Sequence, residues 1–216
     1  MVPSDRPPSR STPVEPVSVD RPSVRETARA RRGETHQRLL EATRDLLETS
    51  ELEKVTVQRI AEEAGLSRTV FYRFFPDRSE LLCELAGEVS LRLHEAARPW
   101  LIDGTGELRP AMLEFFRTFQ RDSAVWRALL DESTRIPEFG SAYTQLMDDF
   151  AGLVEARFLE INPALLNAWQ IARALNLMNE RLLYTYARKS ATDEELQFWS
   201  NLATDFFEQA VQEKSK

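Results

Sequence analysis

The sequence predicts an all-α protein of about nine helices, in which a helix-turn-helix near the N-terminus precedes a larger helical body. Apolar residues recur at steps of three and four almost everywhere from about residue 34 onward, which is the spacing of one helix face. No segment bounded by turn residues alternates apolar and polar positions, so we expect no strand. Capping residues and glycines then divide the chain into individual helices.

Residues 1–33 are predicted to form a flexible basic arm. Residues 1–22 contain six of the 11 prolines and almost no large apolar side chain, so they cannot bury enough surface to order themselves. Residues 21–32 carry five arginines against one glutamate. Such an arm can bind DNA phosphates, or it can be a solvated tail beside an acidic body. Charge alone does not distinguish between these two alternatives.

Residues 34–80 are predicted to form a helix-turn-helix domain. Thr56 is placed to cap a short second helix, which Gly65 ends because glycine tolerates the left-handed turn conformation. Ser67 is placed to cap a third helix that is predicted to run through about Phe74. Two short helices joined by a tight turn that contains glycine are the arrangement of a helix-turn-helix.

Residues 81–216 are predicted to form the larger helical body, and the family resemblance given below implies that it is a ligand-binding and dimerisation domain. Asp77 and Glu80 have the spacing of a capping box that begins a long fourth helix, and Pro99 is predicted to stop it. The Asn162-Pro163 pair indicates a cap followed by proline at the first position of a later helix. The other predicted helices are 34–49, 107–120, 123–133, 137–160, 163–188 and 192–213.

The outward side of the third helix is suited to a major groove. Arg68 can pair bidentately with a guanine edge, and the methyl group of Thr69 can contact a thymine methyl. Ser67 lies at a helix N-terminus that attracts phosphate, and the Tyr72 hydroxyl can contact the DNA backbone. A plain corner between two helices of a bundle is the alternative, which the ordered pattern over 20 residues disfavours. The candidate DNA contacts read from this pattern are Thr56, Ser67, Arg68, Thr69, Tyr72 and Arg73.

The segment from about Leu39 to Leu82 resembles the N-terminal domain of TetR-family repressors, above all in its ending Phe-Tyr-Arg-Phe-Phe-Pro-Asp-Arg-Ser-Glu-Leu-Leu. The resemblance implies a homodimer whose recognition helices enter the major grooves of a near-palindromic operator in double-stranded DNA. It also implies that a ligand in the body moves the fourth helix and spreads the two DNA-binding heads. Arg78 stands where the family usually has lysine, which implies a phosphate contact.

A second stretch, Ala174-Leu-Asn-Leu-Met-Asn-Glu-Arg-Leu-Leu183, is similar to the EthR-like branch of this family, with weaker agreement at 115–119. This resemblance implies a long hydrophobic channel for a small-molecule effector, although each aromatic residue on its own could equally be plain core. Tyr143, Phe150 and Phe206 stand where that branch has tryptophan. The candidate ligand-binding residues are Phe115, Phe119, Tyr143, Phe150, Asn176, Asn179, Leu183, Tyr184 and Phe206.

Two asparagines interrupt the apolar faces of the predicted helix 163–188. A buried amide without partners costs about 1–3 kcal/mol, so Asn176 and Asn179 each need a hydrogen-bonding group. A ligand can supply it, and so can Glu180, a backbone carbonyl or water. Helices 163–188 and 192–213 are each apolar on two sides, which predicts that one side faces the core and the other a partner subunit.

Several classes of function are disfavoured. There is no glycine-rich phosphate loop or nucleophile elbow, and one cysteine with two histidines does not suggest a metal site, so we expect neither an enzyme nor a cofactor. No apolar run is long enough for a membrane span, and no signal peptide is evident, which predicts a cytoplasmic protein. The family resemblance then implies a ligand-released repressor. A transcriptional activator and an architectural DNA-binding protein without a ligand are the alternatives.

Overall fold

The computed structural model describes residues 24–135, 137–188 and 190–212. Within these ranges there is no strand, and nine α-helices are joined by short loops, which confirms the all-α prediction. No helix in this part of the chain is long and apolar enough to cross a membrane. The helices are α1 (Val24–Thr49), α2 (Val57–Glu63), α3 (Arg68–Phe71), α4 (Arg78–Leu101), α5 (Leu108–Arg121), α6 (Ser123–Ser133), α7 (Pro137–Ile161), α8 (Ala168–Tyr186) and α9 (Asp193–Gln212), with a 3-10 turn at Leu52–Lys54.

The chain divides into two compact units, Met1–Thr35 and His36–Lys216. In the first unit, helix α1 already begins at Val24, whereas the sequence predicted a flexible arm as far as residue 33. Residues 24–33 contain four arginines and two alanines, which form helices readily even where few apolar residues are present. The remaining part of the predicted arm, residues 1–23, lies outside the described residues.

The second unit begins with the helix-turn-helix, and its caps form as predicted. The hydroxyl of Thr56 accepts a hydrogen bond from the Arg59 N–H at 3.3 Å, and Ser67 accepts one from the Val70 N–H at 3.3 Å. Gly65 adopts a φ of +64°, the left-handed conformation that ends α2. Helix α3 ends at Phe71, which is fully buried, and residues 72–74 form turns in place of the predicted last helical turn.

Two predicted helix ends need correction. Helix α4 continues past Pro99 to Leu101, because a proline in the last turn removes only one helical hydrogen bond. Helix α8 begins at Ala168 and not at Pro163. The side-chain oxygen of Asn162 does accept from the Ala164 N–H at 3.2 Å, but it caps a single turn, and Asn167, with a φ of 56°, separates this turn from α8.

The body packs around α4 and α5. Helix α4 contacts α5, α6 and α7, helix α7 lies along α8, and α9 packs against α5 and α8. The buried side chains form one hydrophobic cluster that extends from Leu39 in α1 to Val211 in α9. Because the helix-turn-helix and the body share this core, a displacement of α4 in the body can reach the recognition helix.

Candidate functional site

Six of the predicted DNA contacts belong to the helix-turn-helix and are exposed to solvent. Ser67, Arg68, Thr69, Tyr72 and Arg73 are exposed on and just after α3, and Thr56 is exposed where α2 begins. Tyr72 keeps 49% of its surface exposed. Its ring stands edge-on to that of the buried Phe71, with 5.5 Å between ring centroids. This geometry holds a phenol and two guanidinium groups outward, as contacts to a DNA groove and backbone require.

Arg78 differs from these residues because its guanidinium group lies within the protein. It donates to the backbone carbonyls of Leu52 and Val55, at 3.0 and 3.3 Å, and to the carboxylate of Glu132 at 2.8 Å. Glu132 is 2% exposed and Arg78 25% exposed at the side chain. The phosphate contact implied by the family resemblance therefore has no support in this geometry. Arg78 instead joins the start of α4, the loop before α2 and the helix α6.

A second ion pair joins the same elements. Arg135, just after α6, pairs with Glu53 in the 3-10 turn before α2. Arg135 and Glu53 are both about half exposed, so this pair contributes little on its own. Together with the buried Arg78–Glu132 pair, it places the end of α6 against the loop that precedes the helix-turn-helix. No feature of the sequence indicated these contacts, because the partners are far apart along the chain.

A cavity of about 60 Å³ lies in the body, and its walls come from α4, α5, α6, α7 and α8. A second cavity of about 30 Å³ adjoins it further along α4. The two share Phe115, Phe150 and Asn179 as a common wall, and the Phe115 and Phe150 ring centroids are 5.7 Å apart. The larger cavity is lined by Ser90, Leu93, His94, Phe115, Phe119, Trp126, Leu130, Tyr143, Leu146, Met147, Phe150, Asn176, Asn179, Glu180 and Leu183.

Seven of the nine predicted ligand-binding residues line this cavity, and two do not. The ring of Tyr184 lies against Arg127 and Arg181 instead, with 4.9 and 5.6 Å to the guanidinium carbons. Phe206 is 43% exposed on α9, and its neighbour Phe207 lines the second cavity. Each helical residue is turned by about 100° from the next, so a pattern misplaced by one position selects the wrong side chain. The seven are Phe115, Phe119, Tyr143, Phe150, Asn176, Asn179 and Leu183.

Sequence reasoning missed the walls that α4 and α6 contribute. Ser90 and His94 stand one helical turn apart on the otherwise apolar inner side of α4, which was a usable signal of a polar group in a cavity. His94 Nδ1 lies 2.8 Å from the carbonyl oxygen of Ser90. A carbonyl only accepts, so Nδ1 carries the hydrogen and Nε2 is the acceptor nitrogen of the neutral ring.

The two asparagines are buried with polar atoms unpaired by the protein. Asn176 is 3% exposed, and neither its amide nitrogen nor its oxygen has a protein partner. Asn179 is 5% exposed; its oxygen is unpaired, and its nitrogen reaches only the sulfur of Met112 at 3.8 Å. Neither amide bonds to Glu180 or to a backbone carbonyl. Burying such groups costs about 1–3 kcal/mol each, which a ligand with matching polar atoms would offset.

Tyr143 and Glu180 both line the cavity and add polar groups to its wall. Burial is the main cause that raises the pKa of the Tyr143 phenol, and the charge of Glu180 and a hydrogen bond to it raise it further. The phenol therefore stays protonated at neutral pH. No group of three metal-ligating side chains occurs among the described residues.

Large apolar side chains remain exposed on α8 and α9. Trp169 and Leu177 on α8 are 40% and 50% exposed, and Phe198 and Phe206 on α9 are 60% and 43% exposed. Trp199 is half-buried between Phe198, edge-on at 5.1 Å, and Tyr186, stacked at 3.7 Å between ring centroids. Exposed apolar side chains clustered on two adjacent helices are typical of a surface that a partner covers.

Residues 39–85 match the family described as "Bacterial regulatory proteins, tetR family". The HTH-type transcriptional regulator EthR of Mycobacterium tuberculosis is 32% identical over 173 residues, which cover 76% of this chain and 80% of that protein. EthR of Mycolicibacterium smegmatis is 29% identical over 171 residues, covering 75% and 79%. The solved structure of GusR from Salmonella enterica has a TM-score of 0.67 at 18% identity and covers 83% of this chain and 96% of that one. A transcriptional regulator from Aquifex aeolicus has a TM-score of 0.65 at 18% identity, covering 81% and 98%.

Proposed function

This chain belongs to the TetR family of transcriptional regulators and is of the EthR type, and we propose that it is a repressor released from DNA by a hydrophobic small molecule. In this proposal a homodimer binds a near-palindromic operator. The observation that carries the proposal is the cavity beneath α4, which is lined by aromatic rings and by two buried amides whose oxygens have no partner in the protein. The curated relatives are regulators and not enzymes, in agreement with the expectation that this chain has no catalytic activity.

Operator binding is assigned to the exposed side of α3. Arg68 and Thr69 are at its N-terminal end, the part of a recognition helix that meets base edges. Tyr72 and Arg73 follow on the same exposed surface and are suited to the DNA backbone. Since Arg78 is held by Glu132, the proposal gives it no phosphate contact.

The homodimer is assigned to the exposed apolar surface of α8 and α9. A twofold axis through this surface would bring the same side chains of both protomers together, because an isologous interface is self-complementary. The interface would bury Leu177, Phe198 and Phe206, which water otherwise contacts. Two such helices from each protomer would form a four-helix arrangement.

We assign the release of the repressor from DNA to a displacement of α4 and α6. A site for a drug-sized ligand has a volume of about 300–1,000 Å³, so such a molecule must push the walls of this cavity apart. Ser90, Leu93 and His94 belong to α4, and Trp126 and Leu130 belong to α6. Both helices meet in the Arg78–Glu132 pair, a few residues after the recognition helix. An expanded cavity therefore disfavours the distance between the two helix-turn-helix domains of the dimer that an operator requires.

The same cavity bears on the two alternative functions, an architectural DNA-binding protein and an activator. An architectural DNA-binding protein without a ligand would have no reason to bury unpaired amides in its core, so the cavity disfavours that function. An activator would use the same structure, since the sign of regulation depends on where the operator lies relative to the promoter. A regulator that binds operator DNA acts in the bacterial cytoplasm, which is where the proposal places it.

The test is fluorescence anisotropy with the purified protein and the intergenic DNA upstream of its own gene, over a salt series. A random duplex of equal length is the control. We expect nanomolar, salt-sensitive binding that exceeds binding to the control by about a thousand-fold or more. Equal affinity for the two duplexes in the ligand-free protein would contradict an autoregulating repressor.

A further inference from the structure

We propose that the effector is a lipophilic cation, a protonated amine on an apolar body, and that Glu180 binds its charge. This inference rests on the proposed function, because it concerns the same cavity. It extends that function by assigning the chemical class of the effector and the residue that selects it.

The first observation is the charge of the cavity wall. Among the side chains that line it, Glu180 is the only aspartate or glutamate, and none is lysine or arginine. Arg173 is close enough to lower the pKa of Tyr143, but it does not line the cavity, and its Nε lies 2.6 Å from Asp148. The surrounding body is acidic as well, since residues 81–216 hold 14 basic and 21 acidic side chains. A carboxylate on an apolar wall favours a cationic occupant.

The second observation is that acceptors predominate in the wall. The carboxylate of Glu180 only accepts hydrogen bonds, so its lone pairs are offered to an occupant of the cavity. The amide oxygens of Asn176 and Asn179 are buried and unpaired. In the neutral form of the His94 ring, the Nδ1 hydrogen is used on a backbone carbonyl, which leaves Nε2 as an acceptor. The buried donors of the wall without a partner are Asn176 Nδ2 and Trp126 Nε1, fewer than the acceptors.

The third observation is the aromatic surface that faces these acceptors. Phe119 and Trp126 stack with 5.7 Å between centroids, and Phe115 lies against Phe150 at 5.7 Å. The faces of aromatic rings carry partial negative charge and attract cations. An ammonium group has several N–H donors and a positive charge, so it matches the carboxylate, the amide oxygens and the rings together. A carboxylic acid would be repelled by Glu180, and a carbonyl compound would leave most of the acceptors unpaired.

The experiment uses three compounds with one apolar body: 4-phenylbutylamine, 4-phenylbutan-1-ol and 4-phenylbutanoic acid. Their binding to the full-length protein is measured at neutral pH by isothermal titration calorimetry, and quenching of Trp126 in the cavity wall supports the assignment of the site. We expect the amine to bind about ten-fold or more tighter than the alcohol, and the acid to bind least. The alcohol binding as tightly as the amine, or the acid binding tightest, would overturn the inference.

Variants of the protein test which side chain causes the preference for the amine over the alcohol. Glu180→Gln should reduce the affinity for the amine about ten-fold while changing that for the alcohol less than about two-fold. Asp149→Asn is the matched control, since it removes a carboxylate that is exposed on α7 outside the cavity, and it should change neither affinity. Tyr143→Phe keeps the aromatic ring and the charge of Glu180, so this variant should still prefer the amine. It provides a second measurement if Glu180→Gln folds poorly. An amine preference that survives Glu180→Gln would contradict the assignment to this residue.

The outcomes also separate this inference from the proposed function. If the alcohol and the amine bind equally and both release the operator, the cation inference fails and the effector cavity stands. If none of the three compounds binds and none releases the operator, both fail.

Discussion

The guanidinium group of Arg78, at the first residue of α4, lies 2.8 Å from the carboxylate of Glu132 on α6. This pair connects a wall of the cavity to the segment that follows the recognition helix. Arg78 also donates hydrogen bonds to the backbone carbonyls of Leu52 and Val55, so one side chain links α4, α6 and the loop before α2. The contact explains how a change in the body can alter the helix-turn-helix without a ligand near the DNA.

Arg78→Met should destabilise the protein by about 3 kcal/mol or more, because it leaves the buried Glu132 carboxylate unpaired. Urea denaturation followed by circular dichroism gives the change in the free energy of unfolding. Adding Glu132→Leu should recover most of the loss, since the charge is then removed together with its partner. Arg135→Met, which breaks the exposed pair with Glu53, is the control and should change the unfolding midpoint little. Equal effects of Arg78→Met and Arg135→Met would contradict the central role of the buried pair.

Arg68→Ala should relax sequence specificity. A bidentate contact to guanine discriminates by about 1–3 kcal/mol, so affinity for the operator should fall by this amount and affinity for random DNA much less. Anisotropy titrations with both duplexes at one salt concentration measure the difference. Equal losses on the two duplexes would show that Arg68 contacts the DNA backbone and not a base.

Asn176→Leu should stabilise the protein by about 1 kcal/mol or more, because it replaces an unpaired buried amide by an apolar group of similar size. Asn162→Leu is the matched control. Its amide donates to the Val211 carbonyl at 2.9 Å, so its loss should lower stability. Denaturation curves of both variants are compared with that of the parent. A loss of stability in Asn176→Leu would indicate that its amide is satisfied, and would weaken the case for a ligand partner.

The single cysteine offers a direct probe of the dimer. Cys83 is exposed on α4, near the helix-turn-helix, and a nitroxide on each protomer would report the separation of the two heads. Burial first, and then Glu80 and Asp77, raise the pKa of its thiol, so less thiolate is present at neutral pH and labelling should accelerate as the pH rises. Pulsed electron-electron resonance should give a narrower distance distribution with the operator than without it, since the half-sites fix the spacing. The lack of any intermolecular distance would contradict a homodimer.

The sequence predicted most of this fold because its local signals are strong. The helix-turn-helix caps at Thr56 and Ser67 and the left-handed Gly65 are set by residues within one turn of each other. The Asn162-Pro163 signal was read as a helix start, yet tertiary contacts use Asn162 to cap a turn and to bind Val211.

The candidate site was predicted less completely, for physical reasons. The resemblance to the EthR-like branch gave seven cavity residues on α5, α7 and α8. Ser90, His94 and Trp126 were missed, because the inner side of a helix looks the same in sequence whether it faces the core or a cavity. The resemblance also indicated Phe206, whereas its neighbour Phe207 lines the second cavity, because only packing decides which of the two faces inward. The inward turn of Arg78 depends on Glu132, which no local pattern connects to it.

The most direct test of coupling between cavity and DNA needs no ligand, because a bulky side chain can take its place. Leu146 lines the cavity from α7, and Leu146→Trp would fill it and push against α4 and α6. Leu91→Trp, at a site on α4 that is 63% exposed, is the matched control. With circular dichroism to verify that both variants fold, operator affinity is measured by anisotropy. We expect Leu146→Trp to bind the operator about ten-fold or more weakly than the parent, and Leu91→Trp to bind it unchanged. A folded Leu146→Trp protein with the operator affinity of the parent would contradict the account.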